Sequence, residues 1–256
     1  MIKLIFVFRR APGLTLEECQ AYWRDNHATL VRQHAVTLGI RRYVQVHTVD
    51  DPLNEVLRAG RGEIEPYDGM AQLWWSDRDE LEASGATAEG RRAAKELIED
   101  ERRFIDHSRS SLWLAREHVF IEREPGITAG EGSPVVKMSF GFRRLPGLSL
   151  EDCQGYWRDV HGQRVLQQAD EFPLRRYAQS HTIQDPLNDA LRRSRGTMEP
   201  FDGVAEMWGV LEELAVAAAT PEGQRAAEEF LADERRFIDA TRSSIWLGKE
   251  HVIIEG

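Results

Sequence analysis

The chain states one sequence twice. FVFRRAPGLTLEECQAYWRDNH at 6–27 returns as FGFRRLPGLSLEDCQGYWRDVH at 140–161, and RRYVQVHTVDDPLN at 41–54 returns as RRYAQSHTIQDPLN at 175–188. EPYDG becomes EPFDG, DERRFID is repeated unchanged, and SSLWLAREHVFIE closes one copy as SSIWLGKEHVIIE closes the other. Each copy is about 120 residues, the size of a small domain rather than of a solenoid repeat. The register holds through Trp74 and Trp208 and then slips by one residue, which marks a surface loop. The expected organisation is one repeat over 1–122, a linker rich in Gly, Pro and small residues over 123–134, and a second repeat over 135–256.

Composition narrows the class. A formal charge of −10, with the Arg pairs interleaved among acids, argues against nucleic acid, which needs clustered Lys and Arg. No apolar run approaches the roughly 20 residues of a membrane-spanning helix, and MIKLIFVFRR has neither the length nor the cleavage site of a signal peptide. The two cysteines, Cys19 and Cys153, occupy the same place in each copy and make no disulfide framework, which fits the cytoplasm.

Within each copy the expected order is strand, helix, strand, strand, helix, strand. Pro12-Gly13 turns the chain after a strand at Lys3–Arg9, and Thr15 with Glu18 forms a capping box for a helix carrying Leu16, Cys19, Trp23, His27 and Leu30. A strand at Arg42–Val49, a short helix at Pro52–Arg61 and a strand at Gly69–Trp75 follow. Thr87 caps a second long helix running to about His107, and a last strand spans Leu112–Glu122. This βαββαβ order is ferredoxin-like, an antiparallel sheet with both helices on one face. In the second strand Val44 and Val46 suit packing on the helices, so Tyr43, Gln45 and His47 are expected on the bare face. In the third strand Met70, Gln72 and Trp74 share one side; the first strand leaves open whether Phe6 and Phe8 or Ile5 and Val7 meet the helices. A bare face of aromatics is natural against a second sheet, and the second copy can supply one.

RR-x-PGL, E-x-CQ-x-YWRD-x-H, RRY-x-Q-x-HT and the DGVAEMW of Asp202–Trp208 together resemble the EthD-like domain of the dimeric α+β-barrel superfamily, and both copies match over nearly their full length. The resemblance implies an α+β fold of two ferredoxin-like repeats packed sheet to sheet, a barrel with a ligand cavity made within one chain. Superfamily members include polyketide cyclases, cofactor-free monooxygenases, isomerases and haem-handling enzymes, so the resemblance constrains fold more than reaction.

Six of the eight histidines form repeated pairs, His27 with His161, His47 with His181 and His118 with His251. Imidazole exchanges protons near neutral pH, so His27, His161, His47 and His181 are the candidate acids and bases; packing is the plainer reading of each. The resemblance puts the helix-one histidine near the cavity mouth. Tyr43 and Tyr177, with Gln45, Gln179, Trp74, Trp208 and Glu206, are candidate substrate contacts, a phenol being able to donate to a developing enolate oxygen. Glu101 and Glu234 are expected in structural ion pairs with Arg9, Arg10 or their repeats, and Asp68 and Asp202 in turn chemistry.

No dinucleotide loop, Walker sequence, H-E-x-x-H, C-x-x-C or G-x-S-x-G is present. No cofactor is expected; haem or a metal stays open, since histidines distant in sequence can converge. The reading is an enzyme acting by His-mediated proton transfer on a small hydrophobic, aromatic or polyketide-like molecule, by cyclisation, dehydration or isomerisation. A non-catalytic carrier and a haem or oxygen enzyme are the alternatives. No nucleic-acid or membrane partner is expected, and self-association through outer surfaces is open. Because Gln72 becomes Glu206, Leu30 becomes Arg164 and Trp75 becomes Gly209, the two sites are expected to differ, with the dominant one in the half carrying Glu206, His161 and His181.

Overall fold

The computed structural model describes residues 1–256. The first half runs β1 (Ile2–Arg10), α1 (Leu16–Tyr22), α2 (Ala28–His34), β2 (Arg42–Thr48), α3 (Leu53–Arg61), β3 (Gly69–Trp75), α4 (Arg78–Ala86), α5 (Ala88–Glu101) and β4 (Ile105–Glu122). The second repeats it as β5 (Val135–Phe142), α6 (Leu150–Tyr156), α7 (Gly162–Gln167), β6 (Arg176–Thr182), α8 (Pro186–Arg195), β7 (Gly203–Val210), α9 (Leu211–Ala219), α10 (Pro221–Glu234) and β8 (Ser244–Ile254). The strands close one antiparallel barrel in the order β1-β3-β2-β8-β5-β7-β6-β4. Two tandem ferredoxin-like repeats therefore form an α+β barrel within a single chain. No helix is long and apolar enough to cross a membrane.

Local chemistry sets the elements. Thr15 and Glu18 cap α1 reciprocally, Thr87 caps α5 through the Gly90 amide, and Gly62 ends α3 in the left-handed region at φ 72°. Asp68 accepts from the Arg10 backbone and side chain, while Gly69 makes room for Trp23, whose ring would lie 2.7 Å from an added Cβ. These contacts account for the repeated Asp-Gly pair. The last strand begins seven residues earlier than its sequence suggests. Ile105 pairs with Arg10 at the open end of β1, so α5 stops at Glu101 and His107 lies in a strand.

That early start gives β4 18 residues, too many for its own sheet. Its first part pairs with β1 from Ile105 to Ala115, and its second pairs with β6 from Ala115 to Glu122. The long β8 does the same, with β5 on one side and β2 on the other. The inserted helices follow the crossing. Asn54 on α3 accepts the Leu247 amide of β8, and Asn188 on α8 accepts the Leu114 amide of β4, each at 2.8 Å.

The barrel interior is a packed core. Ile5 and Val7 settle the ambiguity of β1 by facing inward with Val44, Val46, Met70, Trp74, Trp113 and Trp246, while Leu4, Phe6 and Phe8 face the helices. Toward one end the packing turns ionic. The Glu206 carboxylate, fully buried, accepts from Lys137 at 2.7 Å, Lys3 at 2.5 Å, Gln72 at 2.6 Å and Ser180 at 2.6 Å. Lys137 also meets Glu250, Lys3 meets Glu117, and both ammonium groups lie over tryptophans, Trp208 and Trp74. Burial alone would raise the pKa of Glu206, but the two lysines hold it well below the usual range. The segment after β4 folds over this end, where the Ala129 amide donates to Glu250 and Ile127 packs near Trp208.

Separating the halves breaks two strand ladders and leaves Lys3 without Glu206. Residues 1–125 expressed alone are therefore expected to self-associate or aggregate. A monodisperse, cooperatively unfolding monomer in analytical ultracentrifugation and denaturant titration contradicts this.

Candidate active site

One expectation about the strands is overturned. Tyr43, Gln45 and His47, with Tyr177, Gln179 and His181, face the helices, and it is Val44 and Val46 that enter the barrel. The reason lies on the first helix. The Ala28 amide bonds back five residues to the Trp23 carbonyl, a one-turn π-bulge at 23–27 repeated at 157–161. Such bulges present groups that a regular helix hides. Trp23 thereby offers its carbonyl to Gln45 Nε2 at 2.9 Å and its indole N–H to Tyr43 at 2.8 Å, so the polar face of β2 turns to it.

The bulge also sets the helix-one histidine. His27 Nδ1 lies 2.8 Å from Asp100 Oδ2 at the end of α5, and Tyr22 donates to Oδ1 of the same carboxylate at 2.6 Å. The second half repeats this, with His161 Nδ1 2.9 Å from Asp233 and Tyr156 donating at 2.6 Å. Hydrogen bonds from the imidazole and the phenol hold Asp100 below its usual pKa. A carboxylate accepting from Nδ1–H fixes the tautomer in which Nε2 is unprotonated. Neither Nε2 has a protein partner among the hydrogen bonds of the structure. Each ring borders a cavity between the sheet and the helices.

The first cavity has a volume of about 400 Å³ and is walled by Phe6, Phe8, Trp75, Leu97 and Phe104, with His27 and Tyr43 among its few polar groups. The second, of about 270 Å³, is narrowed by Phe172 and Phe230 and holds His161 and Tyr177. Each cavity borrows a wall from the opposite half. Leu187, Leu191 and Arg195 of α8 close the first, and Leu57 and Arg61 of α3 the second. Arg195 binds Glu101 through two contacts of 2.7 Å, with His107 3.1 Å from the same carboxylate. Burial would raise Glu101, but Arg195 and His107 bring it down to about 2. In the second half Arg61 lies between Glu234 at 3.3 Å and Glu63 at 3.6 Å. The partners of Glu101 and Glu234 are thus these cross-half arginines, while Arg9 and Arg10 serve Glu65, Pro66 and Asp68.

The remaining candidates fall elsewhere. Trp74, Trp208 and Glu206 are inside the barrel, away from the histidines, and Glu206 neutralises lysines rather than acting on an imidazole. His47 stacks on Trp23 at 4.6 Å and His181 on Trp157 at 4.4 Å, with His251 and His118 beside them at 4.3 and 4.7 Å. Gln45 and Gln179 are fully buried and bond to the Trp carbonyls. No three His, Cys, Asp or Glu side chains gather as a metal's donor set. Cys19 and Cys153 are buried, which pushes both thiols up to about 12. Asp100 and Asp233 were not anticipated, although both copies retain them in DERRFID.

The model of the EthD domain matches residues 11–108 and again 145–241. The chain belongs to the EthD-domain family. No curated protein matches this EthD-domain chain. Among solved structures it is similar to an anthrone oxidase-like protein, at 14% identity and TM-score 0.59 over 98% of this chain and 92% of that one. A candidate monooxygenase from Fusobacterium nucleatum is similar at 7% identity and TM-score 0.51, again over 98% and 92%. At these identities the likeness is one of fold.

Burial, then the neighbouring His251, pushes His47 down to about 2, and burial with His118 pushes His181 to about 3. Both imidazoles are neutral in the folded protein and bind protons below about pH 6.5 once unfolded. Stability is therefore fully present above about pH 6.5 and is lost as pH falls toward the folded values. His47→Gln and His181→Gln are each expected to remove about one proton from the uptake on unfolding at pH 5. The slope of unfolding free energy against pH measures this, and an unchanged slope contradicts it.

Proposed function

We propose that this EthD-domain chain is an enzyme that moves a proton on a small hydrophobic molecule, aromatic or polyketide-like, held between sheet and helices rather than inside the barrel. The observation carrying this reading is the His27–Asp100 pair at the edge of an apolar cavity, repeated as His161–Asp233. An imidazole whose Nδ1 is tied to a carboxylate and whose Nε2 is free accepts a proton from carbon beside a carbonyl. Asp100 steadies the resulting imidazolium, and Tyr22 holds Asp100 in place. The proton then returns to another atom of the substrate. Cyclisation, dehydration and isomerisation through an enolate are the reactions this serves, and the chemistry draws on no organic cofactor. The anthrone oxidase-like neighbour is named for an aromatic ketone, a molecule of the same chemical class.

The first half is the stronger candidate for the working site. Its cavity is the larger, about 400 against 270 Å³. Each carboxylate also has an arginine at 3.5 Å, Arg103 on Asp100 and Arg164, which replaces Leu30, on Asp233, so the preference rests on cavity size. This reverses the preference that the sequence suggested, which rested on Glu206 lying beside a histidine.

Deuterium exchange at the carbon beside the carbonyl of 1-tetralone, followed by NMR in D2O, tests the reading. The protein is expected to accelerate exchange, and His27→Gln with His161→Gln to slow it by roughly 10²- to 10⁴-fold while folding is kept. His27→Gln alone is expected to cost more than His161→Gln alone. An unaltered rate in the double variant removes the histidines from the chemistry, equal single losses remove the asymmetry, and ketone binding without exchange in the unaltered protein leaves a carrier.

A further inference from the structure

The motif Tyr-x-Gln-x-His on β2 and β6 is repeated in both halves, yet it points away from the barrel core that the two halves share. In the first half the Tyr43 oxygen accepts from Trp23 Nε1 at 2.8 Å and from Gln45 Nε2 at 3.0 Å. Gln45 Nε2 also donates to the Trp23 carbonyl at 2.9 Å, and His47 Nε2 lies 2.9 Å from Gln45 Oε1. In the second half Gln179 Nε2 donates to the Tyr177 oxygen at 2.9 Å and to the Trp157 carbonyl at 3.1 Å, with His181 Nε2 2.8 Å from Gln179 Oε1.

The direction of these bonds follows from what each atom can do. An amide oxygen only accepts, so the imidazole must present N–H at Nε2 to Gln45. The Trp23 carbonyl, which also only accepts, and the imidazole N–H together pin the amide with its NH2 toward the phenol. Turned over, the amide would offer its oxygen to Tyr43 and consume the phenol proton. As built, the phenol oxygen receives two donors and its own O–H has no protein acceptor. Tyr43 and Tyr177 are each only 1% exposed, and each borders its cavity. A buried donor left without a partner is unfavourable, and an acceptor in the cavity would relieve it. Burial holds both imidazoles neutral and raises both phenols, so the arrangement persists across the physiological range.

We propose that Tyr43 and Tyr177 are the oxygen-binding donors of their cavities, that the occupant carries a carbonyl or phenolate oxygen, and that His47–Gln45 and His181–Gln179 are positioning pairs that reserve the phenol proton for it. This rests on the reading of the cavities as sites for small aromatic molecules and deepens it by naming the group recognised. His47 and His181 touch no ligand in this scheme.

The test compares 1-tetralone with tetralin, which has the same skeleton without the carbonyl, in the full-length protein. Tyr43→Phe with Tyr177→Phe is expected to weaken tetralone roughly tenfold relative to tetralin. Unchanged tetralin binding reports that the cavities are intact. The carbonyl stretch of bound tetralone in the infrared is expected to lie lower in the unaltered protein and to rise in this variant. His47→Phe with His181→Phe preserves the stack on tryptophan and removes the N–H; it is expected to lose part of the tetralone selectivity and shift the same band, again sparing tetralin. Selectivity that survives the tyrosine variant overturns the donor assignment. Selectivity lost there but untouched by the histidine variant overturns the positioning role. Failure of both molecules to bind the unaltered protein overturns this proposal and the aromatic-ligand reading together, whereas absence of deuterium exchange with selectivity intact overturns only the proton chemistry.

Discussion

The length of the last strand in each half governs the rest of the molecule. β4 and β8 outrun their own sheets, and each finishes as an edge partner of the opposite half, which closes the barrel and removes free strand edges. The same crossing docks α3 and α8, through Asn54 and Asn188, against strands they do not belong to. Those helices then complete the cavities of the opposite halves. A core filled by Trp113, Trp246, Met70 and the lysine–glutamate cluster leaves the barrel to stability. The ligand-sized space lies one layer out, between sheet and helices.

Fusion also permits an electrostatic arrangement that two identical chains cannot make. Near the pseudo-twofold axis Gln72 faces Glu206, so one carboxylate is shared by Lys3 and Lys137. A symmetric dimer would place either two glutamates or two glutamines there, opposing like charges or leaving each lysine with only its Glu117 or Glu250 partner. Removing one partner from a buried cluster costs on the order of 3–5 kcal/mol. Glu206 therefore belongs to the constraints that hold the halves together, and its divergence from Gln72 is explained without a role at the histidines.

Much of the fold was legible because the duplication, the capping boxes and the βαββαβ order are local signals. The inward face of β3 was read correctly from Met70, Gln72 and Trp74. The face of β2 was not, and the reason is physical: both sides of that strand are buried, so alternation distinguishes two faces without saying which core each enters. Val44 and Val46 suit a barrel interior as well as a helix layer, whereas Gln45 and Tyr43 answer a carbonyl and an indole on the helix-one π-bulge. The histidines of helix one were singled out, but their aspartates lie more than seventy positions away and meet them only through tertiary packing. The retained Asp in both copies of DERRFID was the available signal. The cross-half arginines on Glu101 and Glu234 are likewise retained, as Arg195 and Arg61, but their pairing was not legible, since contacts between repeats are invisible to a pattern read along one of them.

The central claim is that ligand chemistry occurs between sheet and helices, beside His27 or His161, and not within the barrel. A crystal structure of the full chain soaked with a brominated 1-tetralone, with the bromine located by anomalous scattering, tests it most directly. The account predicts bromine in the cavity bordered by His27, His161 or both, with the carbonyl oxygen turned toward Tyr43 or Tyr177. Bromine among Trp113, Trp246 and Met70 in the barrel interior would contradict it.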